Sequence, residues 1–170
     1  MHDAGIRVYY AAMNPAVKGK IFSRIISGGQ TGVDRAALDA ALELGLEAGG
    51  WCPRGRRAED GKIPERYPLR ETTSWKYPVR TRKNVLESDG TLILTRGKPR
   101  GGTALTATLA EEFKKPCRVV DLAGHSGRVE DIRKWGRENA IQILNVAGPR
   151  ESEAPGIYDQ ATRLLKKLLR

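Results

Sequence analysis

Residues 24–45 read RIISGGQTGVDRAALDAALELG, and this stretch decides the fold. The apolar pair Ile25-Ile26 predicts a short strand, and the apolar residues from Val33 to Leu44 recur at helical spacing. Three glycines lie between these two patterns, and Gly45 follows the helical pattern as glycines often do at helix ends. The stretch therefore predicts a strand, a glycine-rich turn and a helix in immediate succession.

The same arrangement returns around a second glycine-rich turn. Thr91–Thr95 has the composition of a buried strand, Arg100-Gly101-Gly102 follows it, and a helix is predicted from Thr103 to Lys115. Backbone N–H groups at a helix start have no intrahelical partner, and the helix dipole is positive there. Because glycine lets an anion approach the backbone closely, the two turns predict two anion-binding sites.

The rest of the chain continues the alternation of strands and helices. We predict strands at 46–51, 118–122 and 141–146, and helices at 80–88, 129–139 and 157–168. Such alternation indicates an α/β fold, a doubly wound, mainly parallel sheet with helices on both faces. Ligands bind these sheets at the carboxyl ends of the strands, where both turns lie. The turns can share a ligand if strands 25–28 and 91–95 are neighbours, so we predict the order 2-1-3-4-5, numbered as the strands occur.

Length and composition indicate one domain. The 170 residues, 39% of them hydrophobic, can bury one core and are few for two, so we place the domain at 24–170 and interpret residues 1–23 as a loosely ordered lead-in. Cys52 and Cys117 lie far apart, which argues against a disulfide-stabilised secreted protein and favours the cytoplasm. The sequence has no signal-peptide pattern and no apolar run near the ~18 residues that a membrane span needs.

Basic residues are concentrated between the two turns. The chain has a formal net charge of +10, and residues 54–84 contain ten cations against four acidic residues. Part of this excess is a solvated face, but arginine also binds phosphates and other oxyanions through two donors at once. With the two turns, four arginines complete the predicted anion site. Its residues are Gly28, Gly29, Gln30, Thr31, Gly32, Asp34, Arg54, Arg57, Arg80, Arg82, Gly101, Gly102, Thr103 and Thr106.

Structural roles remain open for several of these residues. Asp34 is favoured in a first helical turn by the dipole alone, and Thr103 can serve simply as a helix cap. The histidines are His2 and His125, so zinc sites and histidine-based nucleophilic catalysis lack the residues that they need. We therefore predict no metal site and no catalytic residue.

Four sequence blocks are typical of a known family. They are SGGQTGVDRAAL at 27–38, GWCP at 50–53, RTRKNV at 80–85 and GGT at 101–103. On these blocks the chain resembles the bacterial molybdenum cofactor carrier protein family. The resemblance implies a Rossmann-like fold within the wider group of lysine-decarboxylase-like nucleotide phosphoribohydrolases, and a homo-oligomer such as a tetramer. It also implies that the site holds molybdenum cofactor (molybdopterin) or molybdate, an anionic small molecule that a molybdoenzyme would accept.

Two other functions compete with that of a carrier. The same crevice suits an enzyme or sensor acting on a nucleotide, with Asp34 or Asp60 as acid or base. Hydrolases of the wider group look like Pro-Gly-Gly-x-Gly-Thr-x-x-Glu at the second turn; aligning their threonine with Thr103 places Thr106 at the catalytic glutamate, which counts against hydrolysis. The net charge alone suggests a nucleic-acid binder, which ranks last because no nucleic-acid-binding motif accompanies it. We expect a carrier rather than an enzyme.

Overall fold

The computed structural model describes residues 19–124 and 129–170. In these residues the helices are α1 (Val33–Glu43), α2 (Tyr77–Glu87), α3 (Gly101–Glu112), α4 (Val129–Glu138) and α5 (Ile157–Leu169). The strands are β1 (Arg24–Ile26), β2 (Glu47–Gly49), β3 (Trp51–Cys52), β4 (Arg57–Ala58), β5 (Gly61–Lys62), β6 (Arg70–Glu71), β7 (Gly90–Thr95), β8 (Cys117–Asp121) and β9 (Ile143–Ala147). Every helix predicted from the sequence is present. His2 and His125 lie outside the described residues.

The central sheet has five strands in the order β2-β1-β9-β7-β8, and every adjacent pair is parallel. Helices α1, α4 and α5 contribute to one large apolar core, and α2 packs with α3 in a separate cluster that contains Val85 and Leu109. All six residues of β7 are buried, as expected for a strand covered on both faces. The predicted α/β, Rossmann-like fold is confirmed.

The position of the last strand differs from the predicted order 2-1-3-4-5. β9 lies between β1 and β7, so strands 25–28 and 91–95 are not neighbours. The reason is hydrophobicity: β9 is apolar except for Asn145, whereas β8 contains Arg118 and Asp121 and leaves Val119 47% exposed. A central strand is buried on both faces, so the charged strand takes the edge and the apolar strand the centre.

The order becomes 3-2-1-4-5, that of a Rossmann sheet, if the numbering starts at β9 and the four short strands are left out. Gly19 and Lys20 line the same surface cavity as Leu168 and Arg170, so the end of α5 lies beside the start of the described chain. The last strand–helix unit thus occupies the place of the first unit in a Rossmann sheet. Relative to that fold, the chain is circularly permuted.

The beginning of the domain lies before residue 24. Phe22 is 2% exposed and belongs to the main core, and Ile21 packs against that core. The part of the predicted lead-in that the structure describes is therefore packed onto the sheet domain, and residues 1–18 lie outside the described residues.

The long excursion from Cys52 to Pro78 contains two small sheets. β3 pairs with β6 in parallel, and β4 with β5 in an antiparallel hairpin. Arg56, only 6% exposed, lies at the centre of the excursion and donates hydrogen bonds to four carbonyl oxygens. The acceptors are Ile63 at 3.0 Å, Leu69 at 3.2 Å, Pro64 at 2.9 Å and Tyr67 at 2.9 Å. This arginine, counted in the basic excess, is structural.

Within the ranges 19–124 and 129–170, no helix has the length and apolar character that a membrane crossing would require.

Candidate functional site

A solvent-open cleft lies beyond the carboxyl ends of β1, β9 and β7, with about 530 Å³ of empty space when the solvent at its open mouth is counted. Both glycine-rich turns contribute to its wall, although their strands are not neighbours. β9 lies between β1 and β7 and ends at Ala147, so the residues that follow Ala147 lie between the two turns. The lining residues are Gln30, Asp34, Tyr77, Pro78, Arg80, Thr81, Gly102, Thr103, Leu105, Thr106, Ala147, Gly148, Arg150 and Glu153.

The glycines of the first turn serve packing, because other parts of the protein fill the space where side chains would stand. A Cβ atom at Gly28 would lie 2.5 Å from Nε of Arg80, and one at Gly29 would lie 2.5 Å from Leu69. At Gly32, a Cβ atom would lie 2.4 Å from the carbonyl oxygen of Pro149. These three predicted site residues are not among those that line the cleft. The first turn reaches the cleft through Gln30 and Asp34 instead.

Thr31 of the first turn is engaged in internal contacts. Its hydroxyl donates to the Glu59 carboxylate and accepts a hydrogen bond from the Glu151 amide at 3.1 Å. Glu59 also accepts from the amide and hydroxyl of Ser152. The side chain of Gln30 joins the same network, since its Oε1 accepts from the Glu59 amide at 2.8 Å. Thr31 and Gln30 thereby attach the β4–β5 hairpin and the segment after β9 to the first turn.

Arg80 and Asp34 form the charged floor of the cleft. Nη2 of Arg80 lies 3.8 Å from Oδ2 of Asp34, and Nη1 donates to the Thr81 hydroxyl at 2.7 Å. Nε of Arg80 is buried and has no hydrogen-bond partner in the described part of the chain. A buried donor without a partner is costly. Nε lies against Gly28, where a Cβ atom would be 2.5 Å from it, so this donor is enclosed by the fold.

Asp34 is 4% exposed, and its carboxyl group accepts a hydrogen bond from the Gln30 amide at 3.2 Å. Burial raises the pKa of Asp34, and the positive charge of Arg80 opposes that rise. A buried carboxyl group that faces a cleft and a guanidinium is typical of functional sites, although ion pairs within a fold also perturb pKa values.

Three arginines surround the ring of Tyr77 at the rim of the cleft. The guanidinium carbons of Arg57, Arg80 and Arg150 lie 5.6, 5.6 and 5.7 Å from the ring centroid. Arg57 also lies 5.0 Å from the ring of Trp75, which is 57% exposed. The structure thus brings Arg57 near the site, with its charge against two aromatic rings.

The second turn remains open to a ligand. A Cβ atom at Gly101 or Gly102 would meet nothing within 4 Å. Thr103 is 6% exposed and lines the cleft, while the Thr106 hydroxyl donates to the Gly102 carbonyl at 2.9 Å. The amides of Thr103 and Ala104 donate to the Arg100 carbonyl oxygen at 3.0 and 3.2 Å, so the start of α3 offers an anion its uncovered glycines and the positive end of the helix dipole.

Other predicted residues lie away from the cleft. Arg82 lies 3.8 Å from Glu112 and 4.6 Å from the ring centroid of Phe113, while the exposed Arg54 does not line the cleft. Asp60, the alternative acid or base, accepts two hydrogen bonds from Arg35 at 2.6 and 2.8 Å. These hydrogen bonds lower the pKa of Asp60 and hold it in an ion pair outside the cleft.

The segment after β9 also lines the cleft, although none of its residues was among the predicted site residues. Gly148, Arg150 and Glu153 line the cleft, and a Cβ atom at Gly148 would lie 2.2 Å from the Leu94 carbonyl oxygen. The sequence does show a glycine and an arginine just after a buried strand, a pattern that is typical of anion sites. This pattern indicates a site residue only when the strand is known to lie between the two turns.

No group of three or more histidine, cysteine, aspartate or glutamate residues could hold a metal ion, as far as residues 19–124 and 129–170 are concerned. Both cysteines are free, and burial raises the pKa of the Cys52 thiol. The donors that the cleft offers are amides, hydroxyls and guanidinium groups, which bind oxyanions.

Comparison with known proteins adds two findings. Residues 25–169 match the model of the circularly permutated YpsA SLOG family. A crystal structure described as "Putative molybdenum carrier protein" from Syntrophus aciditrophicus SB is 48% identical, with a TM-score of 0.87, over 89% of this chain and 97% of that one. None of the curated proteins compared with the chain matches it. The resemblance to the molybdenum carrier proteins is thus confirmed, and the permuted strand order agrees with the family model: the chain belongs to the circularly permutated YpsA SLOG family.

Proposed function

We propose that this protein is a carrier that binds molybdenum cofactor, or molybdate, in the cleft between the two glycine-rich turns. One observation supports the proposal above the others: the open start of α3 and the side chain of Arg80 line the same cleft. The similarity to a protein described as a molybdenum carrier agrees with it.

The donors of the cleft suit the groups that such a cofactor presents. The start of α3 would bind a phosphate through the uncovered backbone at Gly102 and the hydroxyl of Thr103. Arg80 and Arg150 would neutralise the remaining negative charge through paired donors. The pterin ring presents an amino group beside a ring N–H, and the Asp34 carboxylate would accept hydrogen bonds from this edge. The metal would be held through its oxygen ligands, since the described residues offer no metal-binding cluster.

A matched pair of variants tests this assignment. Arg80 and Arg82 lie on the same helix, but Arg80 lines the cleft and Arg82 contacts Glu112. We expect Arg80→Ala to weaken molybdate or cofactor binding by about 10- to 100-fold, the effect of losing a hydrogen bond to a charged group. Arg82→Ala should bind as the wild type does in the same calorimetric titration. Equal affinities for both variants would refute the proposed site.

Native mass spectrometry, with metal analysis of the same sample, identifies the natural ligand. Protein purified from its own cells should retain a mass that contains molybdenum. A bound adenine or guanine nucleotide would instead support the alternative function, a nucleotide-binding enzyme or sensor. One observation favours that alternative: Asp34 is buried and its pKa is raised. Enzymes often raise the pKa of a carboxyl group in this way so that it can act as a general acid. Loss of nucleotide cleavage in Asp34→Asn would support it.

We further propose that the carrier forms a homo-oligomer, such as a tetramer, and delivers its ligand to a molybdoenzyme in the cytoplasm. Light scattering on the purified full chain measures the mass in solution. A monomer at micromolar concentration would contradict the oligomer without affecting the proposed cleft.

A further inference from the structure

Trp75 is the most exposed of the large apolar side chains in the part of the chain that the structure describes. It is 57% exposed, whereas Trp51 and Trp135 are partly buried. One exposed apolar side chain is ordinary by itself. Three properties of its surroundings indicate that Trp75 receives a ligand: its backbone is fixed, it adjoins the cleft, and a flat group already lies over its ring.

Hydrogen bonds fix the backbone on both sides of Trp75. The Ser74 carbonyl oxygen accepts from the Arg54 amide at 2.9 Å and from the Thr72 hydroxyl at 2.7 Å. The Ser74 hydroxyl accepts from the Lys76 amide at 3.2 Å. Trp75 is therefore presented from an ordered turn. An ordered aromatic side chain loses little conformational entropy when a ligand covers it, so it suits a binding site.

The guanidinium group of Arg57 joins Trp75 to the cleft. Its carbon lies 5.0 Å from the ring centroid of Trp75 and 5.6 Å from that of Tyr77, and Tyr77 lines the cleft. A guanidinium group is flat and has a delocalised charge, so it lies over aromatic faces much as a flat heterocyclic ring does. The two aromatic rings thus adjoin one space that a flat group can enter. We call Trp75 and Tyr77 the aromatic rim.

Arg57 can leave the aromatic rim at little cost. It is exposed, and within residues 19–124 and 129–170 its guanidinium has no acidic partner and contacts only the two rings. A cation–π contact at an exposed site is weaker than the stacking of a nitrogen heterocycle on an aromatic side chain. A ligand ring can therefore take the place of the guanidinium.

We propose that the aromatic rim binds a flat nitrogen heterocycle of the ligand, stacked on Trp75 and Tyr77 where the Arg57 guanidinium now lies. The inference rests on the proposed function, because an anionic group of the same ligand would occupy the cleft. It restricts the ligand to a class: a fused-ring heterocycle, pterin or purine, that carries an oxyanion. Molybdate alone would leave the aromatic rim unused.

Calorimetric titration of the full chain with three probes tests the proposal. The probes are hydroxymethylpterin monophosphate, adenosine monophosphate and molybdate, which has no ring. The tighter of the first two identifies the ring that the aromatic rim prefers. We expect Trp75→Ala to weaken binding of that probe by about 10- to 100-fold, the effect of losing one stacked ring, and to leave the affinity for molybdate unchanged.

Two further variants serve as controls for Trp75→Ala. Trp75→Phe keeps an aromatic face, so it should retain most of the affinity for the ring-containing probe. Leu42→Ala removes another exposed apolar side chain, on α1, and should bind all three probes as the wild type does.

The outcomes separate the aromatic rim from the cleft. Unchanged affinity for both ring-containing probes in Trp75→Ala would overturn the inference and leave the proposed cleft intact. Wild-type protein that binds molybdate and neither ring-containing probe would do the same. Equal losses for molybdate and for the ring-containing probe would assign Trp75 a structural role and also overturn the inference. A loss in Trp75→Ala, with unchanged binding of every probe in Arg80→Ala, would support the aromatic rim and contradict the cleft.

Discussion

The buried Asp34 contributes less to the stability of the fold at neutral pH than it does in acid. Burial raises the pKa of Asp34 above its ordinary value of 3.8, so the folded chain binds this proton more tightly than the unfolded chain does. Its contribution to stability is therefore complete below about pH 3.8 and is lost as the pH rises through the folded-state pKa. A buried ionisable group that lowers the free energy of unfolding is common where function requires a charge.

Substitution of Asp34 tests this linkage. Asp34→Asn cannot ionise, so its free energy of unfolding, relative to that of the wild type, should increase as the pH rises above about 3.8. Urea unfolding of both proteins without ligand, at several pH values, measures the difference. A difference that is constant with pH would contradict the raised pKa.

Arg56 and Arg54 are neighbours with opposite environments. Arg56 is 6% exposed and donates to four carbonyl oxygens, whereas Arg54 is exposed. Arg56→Ala should lower the free energy of unfolding by about 3 kcal/mol or more, because buried carbonyls lose their donors. Arg54→Ala should change it by less than about 0.5 kcal/mol in the same chemical denaturation. Similar losses in both variants would refute the structural role of Arg56.

At the scale of elements, the glycine that follows β9 and the glycine at the start of α3 have different roles. A Cβ atom at Gly148 would lie 2.2 Å from the Leu94 carbonyl oxygen and 2.5 Å from Cγ2 of Val33, whereas one at Gly102 would meet nothing within 4 Å. Gly148→Ala should therefore destabilise the fold by about 2–3 kcal/mol or more, because the clash is with backbone. Gly102→Ala, within α3, should be neutral or stabilising by up to about 1 kcal/mol. Thermal unfolding distinguishes the two, and equal midpoints would contradict the packing role of Gly148.

The elements themselves could be predicted from hydrophobic periodicity, and their boundaries agree within a few residues. Strands β4 to β6 were missed, and β3 was joined to β2 in the single predicted strand 46–51, because segments of two residues carry no periodic signal. Their positions depend on Arg56 and on a small apolar cluster around Tyr67, which are tertiary contacts. Sequence alone reveals such contacts only when the partners are known.

Among the predicted site residues, the arginines show what helical geometry decides. Arg80 and Arg82 were both placed in the site, yet two residues apart on a helix they point to nearly opposite sides. Only Arg80 lines the cleft, and Arg82 contacts α3. Because the helix was predicted, the sequence implied that only one of the two arginines could face the cleft, but it did not indicate which one. That choice depends on the packing of α2 against Gly28.

For the whole molecule, the permuted order means that the chain ends can be joined and the chain reopened elsewhere. Gly19 and Arg170 line the same surface cavity, and the loop at Asn139-Ala140 is exposed. A variant that begins at Ala140, connects Arg170 to Met1 and ends at Asn139 would have β9 as its first strand. Its sheet would then have the order 3-2-1-4-5 of a Rossmann fold, with the four short strands left out. Residues 1–18 would then form the connection.

We expect this permutant to fold and to bind molybdate as the wild type does, because every contact around the cleft is retained. Its free energy of unfolding should differ from that of the wild type by no more than about 2 kcal/mol, since the entropy of loop closure grows slowly with loop length. Circular dichroism, urea unfolding and a calorimetric titration with molybdate measure these properties. A control opened between Leu92 and Ile93, within the buried strand β7, should not fold. A permutant opened at Ala140 that folds but binds no oxyanion would show that the site depends on the original connection between α4 and β9, a dependence that the geometry of the cleft does not suggest.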